Sequence, residues 1–258
     1  MAEWPSAGGL FAPLALLLPS LPATPALPLL EPLLSQRAIL TQSAQALRFV
    51  APPNDGLAYE QRIWQRGEVA TRPENWHDFF NALVWLTFPR SKAVLNARHV
   101  RLSTQESVRR GRGRDALTHF DECGALLLAS DRSLLELVRE FRWKTLFWQR
   151  RDALHSSLRC FIFGHGSYEQ LLQPFRGLTA KALLYEVDAT WLRQPLAEQL
   201  QRLDRLVADD WRQDRYDQPR ALQPLPLMGF PGLTPDNQCA GYYDDSWQFR
   251  PGRRQAGV

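Results

Sequence analysis

Cysteine is scarce in this sequence, and its placement excludes two kinds of protein. Cys123, Cys160 and Cys239 are odd in number and widely spaced, and no two of them form a C-x-x-C pair. A disulfide framework and a cysteine zinc cluster both need paired or closer spacings. The pattern instead fits a protein of a reducing compartment.

Several signatures that would identify an activity directly are also missing. The chain has no G-x-S-x-G nucleophile elbow, no phosphate-binding loop and no internal repeat. Candidate sites therefore have to be inferred from polar residues that share a helix face or lie at a turn.

The N-terminal region is apolar but lacks the positive charge of a secretory signal. Residues 7–30 are strongly hydrophobic, and the first lysine or arginine is Arg37. Five prolines between residues 13 and 28 argue against a regular membrane-spanning helix. We interpret residues 1–34 as an apolar, proline-rich arm packed on the domain and expect no transmembrane segment. A degenerate signal peptide is the alternative.

Length and composition predict one α+β domain. The 258 residues are 45% apolar and 22% charged, which is ordinary for a globular protein, and no clear linker divides them. We predict several amphipathic helices and a small mixed sheet within residues 35–217. Residues 218–258 are rich in proline, glycine and aromatic residues, and we interpret them as an irregular strap packed on the domain.

Periodicity and turn residues place the elements within that domain. Apolar residues at helical spacing predict helices over Leu29–Leu47, Tyr59–Gln65, Leu134–Trp148 and Pro195–Trp211. Short apolar runs predict strands over Arg48–Ala51, Cys160–Phe163 and Lys181–Val187, and a hairpin over Ala116–Ser130.

The stretch from Asn75 to His99 holds the densest mix of apolar and chemically capable residues, and it predicts two consecutive helices. Asn75 is a good N-cap, and Asp78 stands three positions later, as in a capping box. Pro89 cannot continue the first helix but is favoured in the first turn of a second one.

Polar residues recur at helical spacing in this stretch. His77 and Asn81 are one turn apart on the first helix, and Lys92 and Asn96 are one turn apart on the second. We interpret them as a polar stripe facing a pocket, with the lysine and Asn96 as candidate anion ligands. The alternative is that the histidine and both asparagines only satisfy neighbouring backbone groups.

The same stretch carries a family resemblance. Its most specific part is HDFFNALVWLTFPRSKAVLN, from His77 to Asn96, and it is preceded by YEQRI at Tyr59–Ile63. The runs RDALTHFDECG, FGHGSYE and PLPLMGFPG fit as well. The chain resembles, over most of its length, the bacterial family called domain of unknown function 3025. The resemblance implies a bacterial, cytoplasmic protein and implies no particular activity.

Positive charge is concentrated between Arg98 and Arg114, where six arginines stand against Glu106 alone, in a chain of net charge +4. We interpret Gln105–Arg114 as a mobile Arg/Gly loop, with Arg112 and Arg114 as candidate phosphate ligands, because a guanidinium matches phosphate oxygens. The loop has no aromatic residues to stack bases, so nucleic acid is weakly supported as a partner. A plain solvated loop is the alternative.

Two further candidates lie at predicted turns. Asp121 and Glu122 are adjacent carboxylates in the turn of the expected hairpin, where they would bind a cation, act as acid and base, or simply face water. His165 lies in a Gly-His-Gly turn before a helix that we expect to begin near Ser167. A glycine turn lets the backbone approach a ligand closely, and the alternative is a plain N-cap.

Three functions remain open from the sequence. The first is a metal-assisted hydrolase acting on an anionic, phosphorylated small molecule, since histidines and carboxylates suit divalent metals that activate water. The second is a metal-free module that binds an anion, a nucleotide or RNA. The third is a protein-interaction protein.

For the hydrolase we predict a divalent metal as the cofactor and two overlapping sets of residues. The predicted metal ligands are His77, Asp78, Asp121 and His165. The predicted catalytic residues are His77, Asp78, Asn81, Glu122 and His165. The assignment requires three separate stretches of the chain to meet in space.

Overall fold

The computed structural model describes residues 3–5, 9–104 and 108–252. Its helices are α1 (Ala12–Ala15), α2 (Glu31–Ser35), α3 (Tyr59–Arg66), α4 (Trp76–Thr87), α5 (Pro89–Ser103), α6 (Val108–Cys123), α7 (Arg132–Arg139), α8 (Arg151–Ser157), α9 (His165–Leu171), α10 (Ala189–Leu192) and α11 (Leu196–Arg212). Its strands are β1 (Arg48–Val50), β2 (Glu68–Ala70), β3 (Gly124–Ala129), β4 (Leu158–Ile162), β5 (Thr179–Glu186) and β6 (Gln223–Pro226).

The larger sheet is mixed and has the strand order β4-β3-β5-β6. Strand β3 pairs antiparallel with β4 and parallel with β5, and β5 pairs antiparallel with β6. Every residue of β3 is buried, because helices such as α6 and α7 pack on it. A separate pair, β1 and β2, runs parallel. The architecture is α+β with a small mixed sheet, as the sequence predicts.

The helix pair predicted between Asn75 and His99 is present. The Asn75 side chain accepts a 2.9 Å hydrogen bond from the backbone N–H of Asp78, which makes it the N-cap of α4. Pro89 is the first residue of α5. Helix α4 is buried on all sides from Phe79 onward to its last turn, so it forms the centre of the helical layer rather than its surface.

The hairpin predicted over Ala116–Ser130 is wrong in its first half. Helix α6 continues to Cys123, and the chain enters β3 directly at Gly124. The buried residues Leu117 and Phe120 are three positions apart, which suits a helix face. A short apolar window does not distinguish this pattern from a strand.

The prediction of a mobile loop over Gln105–Arg114 is also wrong for residues 108–114, which the structure describes. Helix α6 begins inside this range, so Arg112 and Arg114 are helical residues with exposed side chains. Residues 105–107 lie outside the described part. Arg98, which opens the basic stretch, is buried against α11. The positive stretch is therefore not one solvated loop.

Two predicted helices are shorter than their apolar spacing suggests. The helix over Leu134–Trp148 is interrupted by a φ of 58° at Phe141, after which the chain resumes in a short π-helical turn. The helix over Leu29–Leu47 is realised only in α2, and Ala44 beyond it has a φ of 61°. Apolar spacing continues through both breaks, so it does not reveal a left-handed residue.

Both terminal segments contact the helical layer or the sheet. The Phe11 ring lies 6.3 Å from that of Phe80 and 5.5 Å from that of Tyr168. The C-terminal segment supplies the edge strand β6, which the sequence did not predict because two of its four residues are proline. Proline is tolerated at a sheet edge, where an N–H is not required. No helix in the described part is long and apolar enough to cross a bilayer.

Candidate functional site

Three helix ends meet beside the sheet. Helix α9 packs against both α4 and α6. This packing brings together His77 from the first turn of α4, Glu122 from the last turn of α6 and His165 from the start of α9. We call these three residues the His–Glu cluster.

The ligand atoms of the His–Glu cluster are spaced as they would be around a metal ion. The Nε2 atoms of His77 and His165 are 3.1 Å apart. Oε2 of Glu122 lies 3.8 Å from the first of these nitrogens, and its other oxygen, Oε1, lies 3.5 Å from the second. Ligands held at about 2.0–2.1 Å from a tetrahedral metal are themselves about 3.3 Å apart. The cluster thus matches a centre with three protein ligands and one open position.

The outer nitrogen, Nδ1, of one of the two imidazoles has a partner that orients the ring toward the cluster. Nδ1 of His77 lies 3.0 Å from a carboxylate oxygen of Glu169, so it carries the proton and leaves the Nε2 lone pair facing the cluster. Nδ1 of His165 is buried without a hydrogen-bond partner, and Asp121 is the nearest carboxylate to it, at 4.0 Å.

Two glycines allow α9 to approach α6 closely. A Cβ on Gly164 would lie 2.4 Å from the backbone nitrogen of Gly124 and 2.5 Å from the Cα of Cys123, so only glycine fits there. A Cβ on Gly166 would lie 2.8 Å from a carboxylate oxygen of Glu122. The glycines on either side of the His165 position therefore set the distance between that histidine and Glu122.

The His–Glu cluster lines a cavity of about 260 Å³. The other polar residues of this cavity are Tyr59, Glu60, Arg72, Asp78, Asn81, His99, Thr118 and Asp121. Four carboxylates and a single arginine are among the lining residues, so the cavity attracts a cation more strongly than an anion. We call it the acidic cavity.

Asp78, predicted as a metal ligand and catalytic residue, lies near the cluster but is not one of its three residues. Its carboxylate receives two side-chain hydrogen bonds from Arg72, of 2.8 and 2.9 Å, and a third from the Arg72 backbone N–H. Burial alone would raise the pKa of Asp78, but these bonds hold it below its usual value. The carboxylate is thus occupied in fixing the start of α4.

Asp121 and Lys92 also bind each other instead of a ligand. The lysine is 3% exposed, and its Nζ donates to Asp121 at 2.5 Å and to Asn81 at 2.8 Å. Burial would raise the pKa of Asp121, but Lys92 and His165 hold it below its usual value. The predicted anion-binding role of the lysine and metal-binding role of the aspartate are therefore not supported. Asn81 is a hydrogen-bonded bridge, since it also donates to the Tyr59 hydroxyl at 2.7 Å.

Asn96 holds a carboxylate rather than facing an external anion. Its amide donates to the backbone oxygen of Glu60 at 2.9 Å and to the Glu60 carboxylate at 2.6 Å. Burial raises the pKa of Glu60, and His99 and Asn96 only partly oppose that effect. Glu60 and His99 are thus two titratable groups on the wall of the acidic cavity.

Sequence reasoning missed six residues of this site: Tyr59, Glu60, Arg72, His99, Thr118 and Glu169. Glu169 had a visible signal, since it follows His165 by one helical turn and shares its face. The positions of Tyr59, Glu60 and His99 depend on the packing of α3 against α5, which has no local signature. The predicted anion ligands Arg112 and Arg114 do not line the acidic cavity.

A comparison with protein families covers most of the chain. The model of a family described as a protein of unknown function, DUF3025, matches residues 47–253. The chain belongs to the DUF3025 family. Comparisons with curated proteins and with solved structures gave no match. The DUF3025 region includes every residue of the His–Glu cluster and of the acidic cavity.

Proposed function

We propose that this DUF3025 protein is a metal-dependent hydrolase whose His–Glu cluster binds one divalent transition metal. The observation that carries the proposal is the convergence of two imidazole nitrogens and a carboxylate at 3.1–3.8 Å on the wall of a cavity. Three protein ligands with a fourth position open are the arrangement of catalytic zinc sites.

The chain's own residues fit the remaining tasks of hydrolysis. A bound metal would supply a water whose pKa falls to about 7. Glu169 would hold His77 with its lone pair toward that metal. Glu60 keeps a proton to a higher pH than an ordinary carboxyl because it is buried, so it is suited to protonate a leaving group. His99, on the same wall, would position that group.

The charge of the acidic cavity favours a metal-bound state over a metal-free anion-binding module. Arg72 and Lys92 neutralise Asp78 and Asp121, so the negative charge that remains on the lining comes from Glu60 and Glu122, and a divalent cation would offset it. A volume of about 260 Å³ is slightly below the usual range of ligand sites, about 300–1,000 Å³. We therefore propose a small substrate with one anionic group that contacts the metal, such as a phosphate monoester.

A panel of chromogenic phosphate esters tests the proposal. The parent protein is loaded in turn with zinc, manganese and iron, and Glu122→Gln is assayed beside the matched control Glu198→Gln, whose carboxylate is exposed on α11. We expect turnover only with metal, and a loss of about 100-fold or more in Glu122→Gln alone. Turnover that needs no metal, or no turnover with any of the three, would contradict the hydrolase.

The identity of the active metal separates hydrolysis from oxidation. Two histidines and one carboxylate also bind iron in some oxygenases. Zinc- or manganese-dependent cleavage of the ester supports the proposal. If oxygen is consumed only with iron and no ester is cleaved, the proposed metal centre is supported but the proposed hydrolysis is contradicted.

A further inference from the structure

A second, larger cavity lies apart from the acidic cavity and shares no lining residue with it. It has a volume of about 1130 Å³ and opens to solvent as a groove. Its walls come from α6, from the edge of the sheet at β5 and β6, and from the C-terminal segment up to Pro251. We call it the basic groove.

Positive charge dominates the basic groove. Arg112, Lys181, Arg220 and Arg250 line it, against Asp115 as its acidic residue. Within the described residues, no ion pair joins any of these four cations to a carboxylate. Cations left unpaired around one groove lower the free energy of an anion placed between them.

An exposed aromatic ring lies beside these cations. The Trp247 side chain is 54% exposed, and the guanidinium groups of Arg176 and Arg250 lie 4.9 and 5.7 Å from its ring centroid. Arg176 is neutralised by Asp245 at 2.7 Å, whereas Arg250 has no carboxylate partner among residues 108–252 and the other described residues. Phe141, half-buried, forms another part of the wall. Flat aromatic and guanidinium surfaces beside a positive groove are the surfaces on which nucleobases stack.

We propose that the basic groove binds nucleotides, with phosphates on Arg112 and Arg220 and a base on the Trp247–Arg250 surface. Guanidinium groups match phosphate oxygens, and an apolar ligand would leave the four cations without compensation. The volume exceeds that of most small-molecule sites, so it accommodates a nucleotide either free or as part of a single strand. This inference is independent of the metal-dependent hydrolase.

The test is fluorescence anisotropy of a labelled single strand of about 12 nucleotides, without divalent metal, at about 50 mM salt. ATP, AMP and inorganic pyrophosphate serve as competitors. The variants are Arg112→Gln with Arg220→Gln, and Trp247→Leu. The control is Arg205→Gln, which removes an exposed arginine of α11 outside the groove.

We expect the double arginine variant to bind the strand at least about tenfold more weakly. The slope of log affinity against log salt concentration should fall by about one to two, because one to two phosphate contacts are lost. Trp247→Leu should weaken binding by about 5- to 100-fold, which is the range of one base stack. Arg205→Gln and His77→Ala should bind like the parent. Competition by ATP identifies free nucleotides as the source of the ligand, and binding of the strand without such competition identifies a single strand.

Three results would overturn the proposal. The first is no binding of the strand or of ATP at low salt. The second is an equal loss in Arg205→Gln, which would show that net charge alone acts. The third is competition by pyrophosphate as strong as that by ATP together with no effect of Trp247→Leu, which would leave an anion site without base recognition.

Discussion

The acidic cavity and the basic groove differ in how their charged residues are paired. In the acidic cavity, Lys92 forms an ion pair with Asp121, and Arg72 forms one with Asp78. In the basic groove the cations have no carboxylate partners among the described residues. Removing one partner of a buried ion pair leaves an uncompensated charge in the fold, whereas an unpaired exposed charge is available to an external ligand. Substitution of a paired residue in the acidic cavity should therefore lower stability, and substitution of a cation in the basic groove should weaken binding.

The largest effect should come from breaking a pair in the acidic cavity. Lys92→Met leaves the Asp121 carboxylate buried without its cation, and we expect the free energy of unfolding in urea to fall by about 3–5 kcal/mol. Lys92→Met combined with Asp121→Asn should recover part of the loss, because the uncompensated charge is gone. A loss below about 1 kcal/mol in the single variant would show that the pair is not structural.

Metal binding should stabilise the fold next most strongly. At a free zinc concentration of about 100 times its dissociation constant, the free energy of unfolding should rise by about 2.7 kcal/mol. The shift should be reversed by a chelator and absent in His165→Ala. Thermal unfolding with and without metal measures it, and an equal shift in His165→Ala would place the metal elsewhere.

A smaller effect is expected from the residue behind His77. Glu169→Gln removes the carboxylate that orients this imidazole, so metal affinity should fall by about 10- to 100-fold. Because the Glu169 side chain is 45% exposed, the free energy of unfolding of the metal-free protein should change by less than about 0.5 kcal/mol. Calorimetric zinc titration gives the affinity, and an unchanged value would mean that Glu169 does not position the ligand.

The smallest effect on stability is expected in the basic groove. Arg220→Gln breaks no ion pair within the part of the chain that the structure describes, so the free energy of unfolding should stay within about 0.5 kcal/mol of the parent. The matched comparison is Arg72→Gln, which removes the cation that pairs with Asp78. Its free energy of unfolding should fall by more than that of Arg220→Gln. If both variants lose the same amount, the contrast between the two regions fails.

Local sequence signals were sufficient to predict α4 and α5, which carry His77, Asp78, Asn81 and His99 of the acidic cavity. Asn75 caps α4 and Pro89 begins α5, and both effects involve only residues that are close in the sequence. The start of each helix therefore follows from the sequence. The meeting of His77 and His165 does not follow from it. Their side chains are 88 positions apart in the chain, and their contact depends on the packing of α9 against α4.

The exchange of roles between Asp121 and Glu122 has a simple geometric cause. A turn would present both carboxylates to the same solvent-facing site, as the predicted hairpin implied. On helix α6, successive side chains point about 100° apart. Glu122 therefore faces His77 and His165, while Asp121 faces Lys92. The predicted hairpin hid this difference between the two carboxylates.

Metal content of the purified, untagged protein tests the central claim most directly. We expect close to one equivalent of a divalent transition metal in the parent. The control Asp78→Asn should keep the metal, because the Asp78 carboxylate binds Arg72 rather than the cluster. The metal should be lost in His77→Ala and in His165→Ala variants that remain folded. No metal in the parent even after reloading, or full retention of metal in both histidine variants, would contradict a metal centre at the His–Glu cluster.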